Sequence, residues 1–225
     1  MDSIAAIIDH TLLAPETTTE ECRAFLHDAL TLNIKRVCVS PIFVQLVKNE
    51  SPFEAVTVVG FPSGAHEVEA KVNEIELALR SGADEIDAVA NLNFIRSHSW
   101  ADVESEFQRL RAATPAKVLK VILETACLSD DEIIDAVNIA AATGIDFVKT
   151  STGYHKSGGA SEHAVSLMSR AAAGRLGVKA SGGIRSLADA NAMIAAGATR
   201  LGVSATAKIL GGPERPNATN ESVGY

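Results

Sequence analysis

Three short segments, Gly82-Ala83-Asp84, Gly144-Ile145-Asp146 and Gly197-Ala198-Thr199, each follow a helical pattern and lead into a β-branched run. This recurrence constrains the fold more than any other feature of the chain. Glycine just past the last periodic residue of a helix accepts a left-handed backbone, so each segment is a helix stop placed before a strand. Eight strand-like runs occur: Ile4 to Asp9, Val37 to Ser40, Val56 to Gly60, Ile86 to Asn91, Val118 to Glu124, Phe147 to Thr152, Val178 to Ser181 and Leu201 to Ser204. Helical patterns lie between them, as in Cys22, Phe25, Leu26, Ala29 and Leu30, which recur on one helix face. Thr17 with Glu20 and Ser129 with Glu132 have the form of capping boxes, in which hydroxyl and carboxylate satisfy free N–H groups at a helix start.

Eight strands in 225 residues give about 28 residues per unit, close to a (β/α)8 barrel of ~250 residues. The pattern predicts a single-domain α/β protein, a (β/α)8 TIM barrel over residues 1–210, with the polar, turn-rich residues 211–225 as a mobile tail. An open doubly wound sheet is the rival. It is disfavoured because the first strand runs on as Ile8-Asp9-His10-Thr11-Leu12 with no glycine-rich dinucleotide turn. A composition 47% hydrophobic and only 4% aromatic suits one core of aliphatic and alanine side chains.

The formal charge of −8 opposes binding to nucleic-acid phosphates. No apolar run approaches the ~18 residues that span a membrane, and the start, Met1-Asp2-Ser3-Ile4, has no basic leader. Cys22, Cys38 and Cys127 are odd in number and lack zinc-site spacing, which points to reduced thiols in a cytoplasmic protein, with Cys38 a small core residue. His10, His27, His66, His98, His155 and His163 form no i, i+4 pair and no cluster with acids. No metal and no cofactor is expected. Nothing in the sequence fixes an oligomeric state, and a homo-oligomer stays open.

Asp87 and Lys149 each stand five residues after a helix-closing glycine, Gly82 and Gly144, so the repeat places them at matching depth. Lys149 and Lys179 fall on consecutive strands, whose backbones are about 5 Å apart. If both point inward, the neighbouring cation and the dry lumen disfavour the charged form of lysine, which can bring its pKa towards ~7–8 and free an amine nucleophile. A strand lysine is more often solvent-facing or paired with an acid. Asp87, however, interrupts the otherwise apolar run Ile86-Asp87-Ala88-Val89, where a buried charge needs a partner that either lysine can supply. Both lysines precede small polar and glycine residues, Thr152 and Gly153 after one, Gly182 and Gly183 after the other, at strand ends where barrels build their sites. The two consecutive glycines let backbone N–H groups approach an anion, and Ser204 offers a hydroxyl in the next loop, where barrels often hold phosphate. Asp9 can bond substrate hydroxyls or cap the turn before Thr11. Lys120 and Glu124 share a strand face and read as an internal ion pair.

These residues sit in an ordered set of motifs: Ile8-Asp9-His10-Thr11-Leu12-Leu13, Val37-Cys38-Val39-Ser40-Pro41, Gly60-Phe61-Pro62-Ser63-Gly64, Glu85-Ile86-Asp87, Lys120-Val121-Ile122-Leu123-Glu124-Thr125, Phe147-Val148-Lys149-Thr150-Ser151-Thr152-Gly153 and Val178-Lys179-Ala180-Ser181-Gly182-Gly183-Ile184-Arg185. Over nearly its whole length the chain resembles the deoxyribose-phosphate aldolases. The resemblance implies a barrel that interconverts 2-deoxy-D-ribose 5-phosphate with acetaldehyde and D-glyceraldehyde 3-phosphate, without a metal. It implies that Lys149 forms the imine, that Asp87 and Lys179 support proton transfer, and that the final Tyr225 enters the site to assist protonation at the enamine carbon. The chain departs from the family pattern where Ser204 is followed by Ala205 in place of a second serine. It departs again at Tyr154, where some members carry lysine, and at Asn91-Leu92-Asn93-Phe94, which replaces a glycine-containing turn. The rivals are a Schiff-base aldolase for ketose phosphates and a barrel that only binds sugar phosphate.

Overall fold

The computed structural model describes residues 4–211; Tyr225 and the rest of the expected tail from residue 212 lie outside the described residues. Eight parallel strands close into a barrel in sequence order: β1 (Ile8–Leu12), β2 (Arg36–Val39), β3 (Glu54–Val59), β4 (Glu85–Val89), β5 (Val118–Ile122), β6 (Phe147–Lys149), β7 (Gly177–Ser181) and β8 (Arg200–Val203), with β8 pairing back onto β1. Helices follow each strand and form the outer layer, among them α1 (Thr19–Ala29), α2 (Val44–Glu50), α3 (Val68–Arg80), α4 (Leu92–Arg96), α5 (Trp100–Ala113), α6 (Asp130–Ala142), α7 (Glu162–Ala172), α8 (Leu187–Ala195) and α9 (Thr206–Ile209). The expected (β/α)8 barrel is therefore the fold.

The glycine repeat works as expected, one residue beyond the cap. Gly82, Gly144 and Gly197 have φ of 100°, 76° and 112° and follow the cap residues Ser81, Thr143 and Ala196. In each case the next N–H reaches back to a helix carbonyl, Ala83 to Ala78, Ile145 to Ala140 and Ala198 to Met193, each at 2.9–3.0 Å. These are Schellman closures, and they aim three helices into strands with one geometry.

Two local expectations need correction. Ile4–Ile7 is a 3-10 turn, so the first strand begins only at Ile8. The first capping box is Thr18 with Glu21, a residue later than expected, because the Thr17 N–H is already committed to the Ala14 carbonyl in the preceding turn. Ser129 and Glu132 form the second box as expected.

Alternate strand residues face opposite ways. Val37, Val39, Ile86, Ala88, Leu119, Val121 and Val148 join Leu26, Val44, Ile75, Phe107, Val137 and Met168 of the helices in one large core outside the barrel. Burial of such side chains contributes about 1.5–3 kcal/mol each and holds the helical layer on. Inside the barrel Cys38, Val56 and Val58 form a small apolar cluster, with Leu13 and Phe61 against them. Much of the remaining lumen is charged, where barrels more commonly place valine, isoleucine and leucine.

Candidate active site

The lumen charges form a closed ring. Asp9 Oδ2 lies 2.5 Å from Lys179 Nζ, which lies 2.7 Å from Asp87 Oδ2. Asp87 Oδ1 is 2.8 Å from Lys120 Nζ, and Lys120 is 2.5 Å from Glu85 Oε2. Glu85 is 3.2 Å from Arg200, which returns to Asp9 Oδ1 at 2.8 Å. Three acids and three bases thus alternate around the lumen and cancel in charge. Two further cations hang from it: Arg36 on Asp9 at 2.9 Å, and Lys149 on Asp87 Oδ2 at 3.0 Å.

Strand register sets this arrangement. Lys149 and Lys179 are direct cross-strand partners, as are Asp87 and Lys120, Lys179 and Arg200, and Asp9 and Arg36. Shielded from water, such charges survive only with their partners in place. Burial would raise the Asp87 carboxyl, but the attraction of Lys120, Lys149 and Lys179 outweighs it and holds Asp87 well below the usual carboxylate range. Asp9 is likewise held down, by Lys179, Lys120 and Arg200 against its burial. Burial would lower Lys179, yet Asp87 and Asp9 together push it above an ordinary lysine. Lys179 is therefore a fixed cation over the neutral range. The two strand lysines do not simply face each other, since a carboxylate oxygen lies between them.

Among the described residues, Lys120 and Lys179 each contact two carboxylates, whereas Lys149 contacts only Asp87, which it shares with both. Loss of the Lys149 proton breaks one ion pair and leaves the ring whole. Loss of a proton from either of the others opens it. Lys149 also stands at the C-terminal end of β6, the face on which barrels build their sites.

The expected pair of Lys120 with Glu124 is not formed. The chain leaves β5 at Ile122, and Glu124 turns into the left-handed region at φ 53°, away from the strand face that i, i+4 spacing assumes. Its carboxylate takes the Thr152 hydroxyl at 2.6 Å and the Thr152 N–H at 3.2 Å, tying the loop after β5 to the loop after β6. The Thr152 hydroxyl is thereby committed to Glu124. Asp9 does not cap the turn before Thr11: its carboxylate is in the ring, while the Thr11 hydroxyl donates to the Asp9 backbone carbonyl at 2.9 Å.

At the C-terminal face, Gly153, Gly182 and Gly183 all have positive φ, of 86°, 86° and 81°. A Cβ on Gly182 would come within 3.0 Å of the Gly159 Cα, whereas one on Gly183 would meet nothing. Gly182 is needed for close backbone approach, and Gly183 is open to solvent, as is Ser204 just past β8. The three form the rim at the ends of β6 and β7.

Glu85, Arg200 and Arg36 were not singled out from the sequence, although all three belong to the network. Gly202 was not singled out either, although the glycine repeat carries a signal for it. Counting five from Gly197 gives Gly202, the position equivalent to Asp87 and Lys149. A Cβ there would stand 3.0 Å from the Lys179 Cε and 3.1 Å from the Ser181 Cβ. The repeat leaves that position without a side chain, and the Lys179 stem occupies the space.

Comparison with known proteins agrees with this geometry. The model of the DeoC/LacD family aldolases matches residues 3–210. A deoxyribose-phosphate aldolase of Corynebacterium diphtheriae is 50% identical over 93% of this chain and 96% of its own. One of Kocuria rhizophila is 48% identical over the same shares. The tetrameric deoxyribose phosphate aldolase of Aeropyrum pernix superposes with a TM-score of 0.82 at 31% identity, over 92% of this chain and 89% of its own. A family match that runs through every strand of the barrel, and relatives about half identical across it, place the charged lumen in a known setting: the chain belongs to the DeoC/LacD family of aldolases.

Proposed function

We propose that Lys149 is the amine through which this aldolase cleaves 2-deoxy-D-ribose 5-phosphate to acetaldehyde and D-glyceraldehyde 3-phosphate. The observation that carries this is the count of ion pairs among the described residues: Lys149 has one carboxylate partner and shares it, while Lys120 and Lys179 have two each. A nucleophilic amine must be free to leave its counter-charge, and freeing Lys149 breaks one ion pair where freeing Lys120 or Lys179 breaks two.

Lys149 adds to the C1 aldehyde, and water leaves to give an iminium. The iminium draws the electrons of the C2–C3 bond into an enamine as the C3 hydroxyl loses its proton and becomes the aldehyde of the departing triose phosphate. Protonation at C2 and hydrolysis then release acetaldehyde and restore the amine. Asp87, ionised throughout, orients the Lys149 N–H groups and a water that carries the protons. Lys179 keeps its charge as a fixed cation beside the reacting atoms, and Asp9 positions Lys179. The phosphate lies at the rim, on Gly182, Gly183 and Ser204, with Gly153 beside them and Thr152 holding that loop through Glu124. The same family setting favours a homo-oligomer acting in the cytoplasm; among the described residues no helix is long and apolar enough to cross a membrane.

Acetaldehyde release from 2-deoxy-D-ribose 5-phosphate tests the assignment. Lys149→Ala is expected to lower turnover by at least about 1000-fold while the protein still binds the sugar phosphate. Turnover within tenfold of the parent would overturn it, and so would a parent protein that binds without cleaving, which is the behaviour of a non-catalytic sugar-phosphate barrel.

A further inference from the structure

Tyr154 lies in the loop after β6, yet its side chain ends on the other side of the barrel. Its hydroxyl donates to the Leu13 carbonyl, just past β1, at 3.0 Å. Its ring meets Phe61, just past β3, edge to face at 5.3 Å between centroids. In a closed barrel of eight strands in sequence order, β6 is diametrically opposite β2, which lies between β1 and β3. The near end of the loop stays over β5 to β7, because the Tyr154 N–H donates to the Thr152 hydroxyl, itself held by Glu124. A side chain fixed at both of these ends crosses the mouth.

Beneath it the Lys149 side chain is only 4% exposed. Leu13 and Phe61, the far anchors, continue down into the apolar lumen wall of Cys38, Val56 and Val58. The loops after β7 and β8, with Gly182, Gly183 and Ser204, lie to one side of this crossing, and those after β4 and β5 lie to the other.

We infer that Tyr154 is a specificity-determining residue: a bar across the barrel mouth that leaves the β7 and β8 side as the approach to Lys149 and limits the width of the acceptor aldehyde. This rests on the assignment of Lys149 proposed above. A slender, unbranched acceptor with a terminal anion, such as D-glyceraldehyde 3-phosphate, fits along the open side with its phosphate at the glycine rim. An acceptor branched beside its carbonyl needs the width that the tyrosine ring occupies.

The test runs the reaction in the synthetic direction with acetaldehyde as donor, comparing kcat/KM for D-glyceraldehyde 3-phosphate with kcat/KM for 2-methylpropanal. Tyr154→Ala should shift this ratio towards the branched acceptor by about tenfold or more, the scale on which pocket volume discriminates substrates. Tyr154→Phe, which loses only the bond to Leu13, should shift it less and in the same direction. Tyr154→Leu keeps apolar contact with Phe61 but cannot reach Leu13, and serves if the alanine variant fails to fold. A ratio that stays within about twofold of the parent in the alanine or leucine variant overturns the inference. Borohydride trapping of acetaldehyde on the parent protein needs no acceptor and separates the two claims. No label on Lys149 removes the underlying assignment and this inference with it; a labelled Lys149 with an unmoved ratio removes only the bar.

Discussion

Lys149 and Lys179 donate to the same oxygen, Oδ2 of Asp87, at 3.0 and 2.7 Å, from positions directly opposite each other on β6 and β7. Asp87 thus couples the two amines. Lys179 is also fixed by Asp9, so it keeps its proton and competes with Lys149 for Asp87. In Lys179→Met that competition ends, and Lys149 holds Asp87 with only Lys120 beside it. The rate of imine formation with acetaldehyde at neutral pH is expected to fall about tenfold, with its pH dependence displaced to higher pH. Stopped-flow measurement of that rate across pH checks it; an unchanged profile contradicts the coupling.

Gly202→Ala tests whether the lumen has space to spare around Lys179. The added methyl would stand 3.0 Å from a stem that is held at its tip by two carboxylates and cannot swing aside without opening the ring. A stability loss of about 1–3 kcal/mol is expected, as for overpacking in a core. A larger fractional loss of kcat than of substrate affinity should accompany it. Wild-type kcat together with wild-type stability would show that Lys179 has another place to go.

Asp87 and Lys149 were legible in the sequence by a fixed distance from a local signal, and Lys179 and Asp9 by their places on strands. Asp87, Lys149 and Gly202 each stand five residues after a helix-closing glycine, so the repeat alone sets their depth. Glu85, Arg200 and Arg36 carry no such mark, because their partners are chosen by the closure of the barrel. Arg200 meets Glu85 and Asp9 across 115 and 191 residues of chain. Spacing failed where the backbone broke its own rule, at Glu124, where a left-handed residue ends the strand and turns the expected partner of Lys120 towards Thr152. The mouth was not legible either, since the reach of Tyr154 to Leu13 depends on where two loops lie in space.

Outside the lumen, Lys71 on α3 and Glu106 on α5 form a second buried pair at 2.6 Å, with Lys71 also donating to the Val89 carbonyl and Glu106 accepting from the Asn91 N–H. The pair ties the end of β4 to the helical layer. Lys71→Met leaves the Glu106 carboxylate without its counter-charge and is expected to cost about 3–5 kcal/mol in urea unfolding. The double variant Lys71→Met with Glu106→Leu should be more stable than the single one. A single variant as stable as the parent would mean that water reaches Glu106.

His10, on the outer face of β1, stacks on Phe25 and contacts the Thr206 hydroxyl at 2.7 Å. Burial pushes its pKa down to about 4, against a small opposing contribution from the Val203 backbone. Between pH 6.5 and 4 the unfolded chain therefore takes up a proton that the folded chain refuses. Stability is full above about pH 6.5, falls by about 3 kcal/mol as the pH drops to 4, and levels off below that for this group. Unfolding free energies at pH 7, 6 and 5 should show the decline in the parent and a flatter line in His10→Asn. Equal slopes would assign the decline to other groups.

The most direct test of the central claim is to treat the protein with acetaldehyde and sodium borohydride, digest it and locate the ethylated lysine by mass spectrometry. The lumen offers three amines within reach of one carboxylate, and the pattern of ion pairs selects a single one of them. The expected result is an ethyl group on Lys149, with Lys120 and Lys179 unmodified. Ethylation of Lys179 or Lys120 in its place, or none of the three, would contradict it.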